Sequence, residues 1–114
     1  MTEAAQNFEM VQGNDVDVVI VVKDGAGVVK DITNATIKFA MATDRAATPV
    51  LTKTTPTEIT LSDPTNGEFT VKFDPADTTD LEEGVYVFEA ETTDASGNIV
   101  AVTLGRILLY KSII

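Results

Sequence analysis

The sequence contains neither cysteine nor histidine in its 114 residues. Without cysteine there are no disulfides and no thiolate chemistry, which fits a reducing cytosol and equally a virion assembled there. Without histidine, Ser-His-Asp and Cys-His nucleophile systems are excluded, as are histidine-ligated zinc or iron sites. Tryptophan is absent too, and with no cleft-building insertions the chain lacks a stacking platform for sugars. Basic residues are scarce, 8 against 18 acids, for a formal charge of -10. Binding to nucleic acid requires Lys and Arg to displace counterions from phosphates, so DNA and RNA are disfavoured partners, and so is an anionic membrane surface. The acidic surplus serves solubility. Long apolar runs are also missing. Val18 to Val22 is far too short to span a bilayer, and Met1 to Met10 has neither the basic nor the apolar region of a signal peptide. The sequon Asn34-Ala35-Thr36 is therefore read as chance.

What is present is a single domain, residues 1–114, made of strands. A chain of this length buries roughly two-thirds of its unfolded surface, enough for one core. Short runs of Val, Ile, Thr and Phe alternate with Asp, Gly, Asn and Pro. From Val16 to Lys23 the even positions face a core, and Val19 and Val21 face outward. An Asp24-Gly25-Ala26-Gly27 turn follows. Thr36 to Ala42 sends Ile37, Phe39 and Met41 inward. Val50 to Thr54 and Glu58 to Leu61 are shorter strands, and Pro56 between them marks an edge or a break. After the Asp63-Pro64-Thr65-Asn66-Gly67 turn, Phe69, Val71 and Phe73 share one face. Asp74 to Gly84 is an acidic connection with room for one helical turn. Val85 to Thr93 turns Tyr86, Phe88 and Ala90 inward, with Glu89 and Glu91 outward. Asp94 to Asn98 is a hairpin loop, and Ile99 to Lys111 is the last strand, where Gly105 signals a bulge. The pattern predicts an all-β, immunoglobulin-like antiparallel β-sandwich of seven to eight strands.

Leu81-Glu82-Glu83-Gly84-Val85-Tyr86 resembles the tyrosine corner of such sandwiches, in which a tyrosine hydroxyl bonds back to upstream backbone. Along the whole chain the order of features is similar to a phage module. These features are Asn7 to Asp15, the Val16 to Lys23 strand, Asp31-Ile32-Thr33-Asn34-Ala35, Gly67-Glu68-Phe69-Thr70-Val71, Leu81 to Tyr86, Asp94 to Gly97 and a long final strand. From Phe8 to Tyr110 they resemble the immunoglobulin-like N-terminal domain of baseplate upper proteins and related small head or tail accessory proteins. The resemblance implies a non-enzymatic structural protein of a tailed phage virion: a capsid decoration, head–tail, or tail and baseplate component. It implies docking on other virion proteins as a homo-oligomer or a lattice-bound copy, after synthesis in the host cytoplasm. Baseplate members continue into receptor-binding regions. With the sequence ending at Ile114, the expected role is structural instead. A bacterial immunoglobulin-like adhesion or surface module is the alternative, and it is expected to bring a signal or neighbouring domains.

Three constellations bear on function. From Phe73 to Gly105 there is no Lys or Arg, and Asp77, Asp80, Glu82 and Glu83 fall in one connection. Clustered carboxylates suit calcium, but the spacing of a calcium loop is absent and a solvated acidic face is expected. Glu89 and Glu91 share an outer face, yet paired carboxylates without a sugar platform do not make a glycosidase. No catalytic, cofactor or metal residues are assigned. The third constellation is apolar: Val19, Val21, Ile107, Leu109, Ile113 and Ile114 are expected to form a subunit interface. A bulge at Gly105 would instead fold the residues after it into the core.

Overall fold

A strand that alternates apolar and polar side chains has one face to bury, and two such sheets satisfy each other by packing face to face. The computed structural model describes residues 6–24 and 26–113. Its strands are β1 (Gln6–Val11), β2 (Val16–Val21), β3 (Thr36–Ala42), β4 (Leu51–Thr54), β5 (Ile59–Asp63), β6 (Glu68–Phe73), β7 (Gly84–Thr93) and β8 (Ile99–Tyr110). They form a five-stranded sheet, β1-β8-β7-β3-β4, and a three-stranded sheet, β2-β6-β5. This is an immunoglobulin-like sandwich in which the first strand lies beside the last. All pairs are antiparallel except β1 with β8, which run parallel. That departure arises because the turn after β1 carries the chain to the other sheet, not back along the same one.

The expected inward residues of β2, β3, β6 and β7 all meet in one core. Phe39, Phe69, Phe73 and Phe88 are fully enclosed, and burying each stabilises the fold by about 1.5–3 kcal/mol. Three ring contacts run across the sandwich. Phe8 meets Phe88 at 5.8 Å, Phe88 stacks on Phe39 at 5.4 Å, and Phe39 meets Phe73 edge-on at 5.7 Å. The last contact joins the two sheets. Each pair adds about 0.5–1.5 kcal/mol beyond burial.

Turns are organised by aspartates. Asp94 Oδ1 accepts the amides of Ser96 and Asn98, and Gly97 follows in a left-handed conformation at φ 90°. Asp24 Oδ1 does the same for Ala26 and Val28, with Gly27 at φ 81°. Gly25 lies outside the described residues. Pro56 sits where the chain passes from β4 to β5, the outer strands of opposite sheets. The acidic connection holds one helical turn, α1 (Pro75–Thr78).

The final strand corrects the expected facing. Ile107 is 0% exposed and Leu109 1%, so both belong to the core and not to an interface. No bulge puts them there. The β7–β8 register runs unbroken from Gly84↔Leu109 to Thr92↔Ala101 and shifts only beside the hairpin. Period two therefore keeps 103, 105, 107 and 109 on the inner face. Gly105 has another reason to be glycine: a Cβ there would stand 1.8 Å from the backbone oxygen of Gln6 and 2.5 Å from the Phe88 ring. The residue marks a close approach of β1.

Replacing Gly105 by alanine is expected to lower stability by about 2–3 kcal/mol, the usual cost of overpacking, and to loosen β1. Urea unfolding together with amide exchange of residues 6–11 measures both. Unchanged stability with protected β1 amides would contradict the close approach.

Candidate functional site

The six residues expected to form one interface are dispersed. Val19 lies on the outer face of β2, 46% exposed, opposite Thr70, and the half-buried Val21 is opposite Glu68. Their neighbours on β5 and β6 are polar, with Thr70 Oγ1 donating to Ser62 Oγ at 3.0 Å. Gln6 clips the open side of β2 by donating from Nε2 to the Val21 carbonyl and accepting the Val21 amide. This occupies backbone groups that a neighbouring chain would otherwise pair with. Ile107 and Leu109 are in the core, Ile113 is almost fully exposed beyond β8, and Ile114 lies outside the described residues. No common surface joins them.

A larger group of outward apolar residues lies elsewhere, on the outer face of the five-stranded sheet. The even positions of β8 supply Val102, Leu104 and Leu108, and β7 supplies Val85 and Val87. Val85 stands opposite Leu108 and Glu91 opposite Val102. Val85 is 56% exposed and Val102 40%. A shallow depression there is lined by Asn7, Glu9, Val85, Arg106 and Leu108. The rim is acidic. Glu9 accepts a hydrogen bond from the Tyr110 hydroxyl at 2.9 Å, which raises the phenol above its ordinary value, and Glu89 pairs with Arg45. Leu108 and Tyr110 were visible in the sequence as apolar positions of the last strand. The parity that turns them outward depended on whether Gly105 bulges.

The acidic connection does not gather into a cation site. Asp77 turns inward, accepting from Lys53 Nζ at 2.6 Å and from the Asp74 amide at 2.7 Å, away from Asp80, Glu82 and Glu83, which border a separate depression with Lys111. Among the described residues no three acidic side chains are placed to hold a metal ion. Elsewhere aspartates serve turns. Asn98 and then Ser96 hold the Asp94 carboxyl below its ordinary value, and the side chain and then the amide of Thr33 do the same for Asp31.

Lys53 was overlooked in the sequence. Leu51-Thr52-Lys53-Thr54 alternates, and its inward phase holds Leu51 and Lys53. An inward charge on an edge strand discourages edge-to-edge pairing. Here it also makes a polar corner between the sheets, because Lys53 reaches Asp77 and Glu58 beside the Phe73 ring.

The tyrosine corner is formed: Tyr86 donates its hydroxyl hydrogen to the Glu82 carbonyl at 2.6 Å. Gly13 N–H donates to Thr78 Oγ1, and Gln12 Nε2 donates to the Leu81 carbonyl. These bonds tie the connection before β7 to the β1–β2 turn. Compared with known proteins, the chain matches no family model and no curated protein. The class is defined by the fold itself, an immunoglobulin-like sandwich.

Burial, and then the Glu82 carboxylate, raise the Tyr86 hydroxyl above its ordinary value of 10.0. The unfolded tyrosine therefore ionises first as pH rises. The contribution is full below the unfolded value and is lost as pH climbs through the folded one. Tyr86→Phe is expected to lower stability at neutral pH by about 1 kcal/mol and to flatten part of the alkaline decline. Urea midpoints at neutral and alkaline pH check this, and an unchanged alkaline slope would dismiss the corner as its source.

Proposed function

We propose that this chain is a non-enzymatic structural module of a tailed phage virion that docks through the outer face of its five-stranded sheet. The observation carrying this reading is the group of outward apolar residues Val85, Val87, Val102, Leu104 and Leu108, interspersed with Arg106, Glu89 and Glu91. Apolar residues exposed among charges suit a protein contact. The partner's chemistry follows from charge. Two copies of a chain at -10 repel, so this face fits a virion lattice protein that presents apolar residues among basic ones. The resemblance to baseplate upper proteins and head or tail accessory proteins supports a repeated virion surface as that lattice.

Immunogold electron microscopy of particles induced from the host encoding this chain is expected to label repeated positions on the virion. Label confined to the bacterial envelope would replace this reading with that of a surface module. Changing Val85 and Val102 together to serine is expected to reduce incorporation into particles about tenfold or more, the loss typical of central interface residues, with thermal stability unchanged. Undiminished incorporation would remove the sheet face as the docking surface.

A further inference from the structure

Among the described residues Lys53 is the only buried residue that carries a charge. Its side chain is 3% exposed, its Nζ stands 2.6 Å from Asp77 Oδ2, and Glu58 Oε2 lies 3.9 Å away on the other side. The Phe73 ring walls the amine at 5.9 Å. A buried amine, a partly buried carboxyl group and a second, more exposed carboxylate thus meet in one corner. We propose that Lys53 and Asp77 condense, without any other protein, into an intramolecular amide, with Glu58 as the proton carrier.

Burying an ion pair removes the hydration of both charges, and their mutual attraction does not reliably offset that loss. Proton transfer from the Lys53 ammonium to Asp77 Oδ1 leaves a neutral amine beside a neutral carboxylic acid, with Oδ1 as the departing hydroxyl and Oδ2 as the carbonyl oxygen. A desolvated lysine amine is a nucleophile. Its lone pair attacks Asp77 Cγ, and the carbonyl π pair moves onto oxygen. The Asp74 amide, 2.7 Å from Asp77 Oδ2, donates to that oxygen as its charge grows. Glu58 takes a proton from the attacking nitrogen and returns it to the departing hydroxyl. The Cγ–O bond then breaks, one water leaves, and a secondary amide joins Nζ to Cγ. The ammonium and carboxylate charges cancel, and no oxidant, reductant or activating group is consumed.

In dilute water the equilibrium opposes such a condensation. Fixed contact between the groups corresponds to effective molarities of about 10⁵–10⁸ M, and the burial of the Lys53 side chain limits the access of water to the new bond. Asp77 is held in α1 and Lys53 in β4, so neither group has to be recruited. The amide would bolt the outer strand of the large sheet to the segment between β6 and β7. This reading is independent of the docking face, because it concerns the interior of the free protein.

The test is an intact-mass measurement on the purified, denatured chain, with peptide fragmentation after trypsin. The expected mass is lower than that of the sequence by one water. Trypsin should fail to cut after Lys53, and a branched peptide should join the Lys53 and Asp77 segments. Lys53→Arg, which keeps a positive charge beside Asp77, should restore the full mass, and so should Glu58→Gln. The full sequence mass in the unaltered protein would overturn the proposal. So would a water loss mapped to a cyclic imide at another aspartate, with normal cleavage after Lys53. Undiminished cross-linking in Glu58→Gln would remove Glu58 as the proton carrier.

Discussion

The start of β1 can approach β8 as closely as it does only because the residue opposite Gln6, Gly105, has no side chain. The backbone oxygen of Gln6 occupies the space that a Cβ would need. Once β1 is seated in parallel register, with Gln6 opposite Gly105 and Phe8 opposite Ile107, two further contacts follow. Phe8 covers Phe88, beginning the run of rings that passes through Phe39 to Phe73 and joins the sheets. The Gln6 side chain reaches across to the backbone of β2 and closes that side of the sandwich. One missing side chain thus governs the first strand, the aromatic packing and a sheet edge.

The large acidic surplus has several local uses, which explains why it does not converge on a site. Asp24, Asp31, Asp44 and Asp94 accept backbone amides within their own turns. Such bonds substitute for the pairing that a turn cannot supply from its own backbone. Asp77 answers the one buried lysine. Glu9 and Glu89 lie on the large sheet, where their pairing with Tyr110 and Arg45 is exposed and contributes little stability.

The sandwich therefore separates two kinds of chemistry. The outer face of the large sheet carries exposed apolar residues among charges, the surface proposed for contact with a partner. The Lys53 corner, with its lysine buried at the edge strand β4, is the place proposed for chemistry within the chain. Cross-linking there would stiffen the edge strand β4 without altering the docking face, since β4 lies at the far side of the sheet from β8.

Much of this was legible in the sequence. A period of two in β2, β3, β6 and β7 identifies their inward residues, because a strand can hide only one face. The Asp-Gly turns and the Gly84 to Tyr86 corner could be read for the same local reason. The last strand could not be read in this way, because it is apolar on both faces and its facing rests on one glycine. A strand glycine signals either a bulge or a close neighbour, and the neighbour is Gln6, far away in sequence. Ile107 and Leu109 therefore went to the core while Leu108 and Tyr110 turned outward. Lys53 was hidden for a related reason. Its alternation points inward, but the Asp77 and Glu58 carboxylates that permit a charge there arrive from other elements. The sequence determined which strands form and which turns end them; only the tertiary structure decided which apolar face remains open and where a lysine can be buried, because both depend on contacts between distant segments.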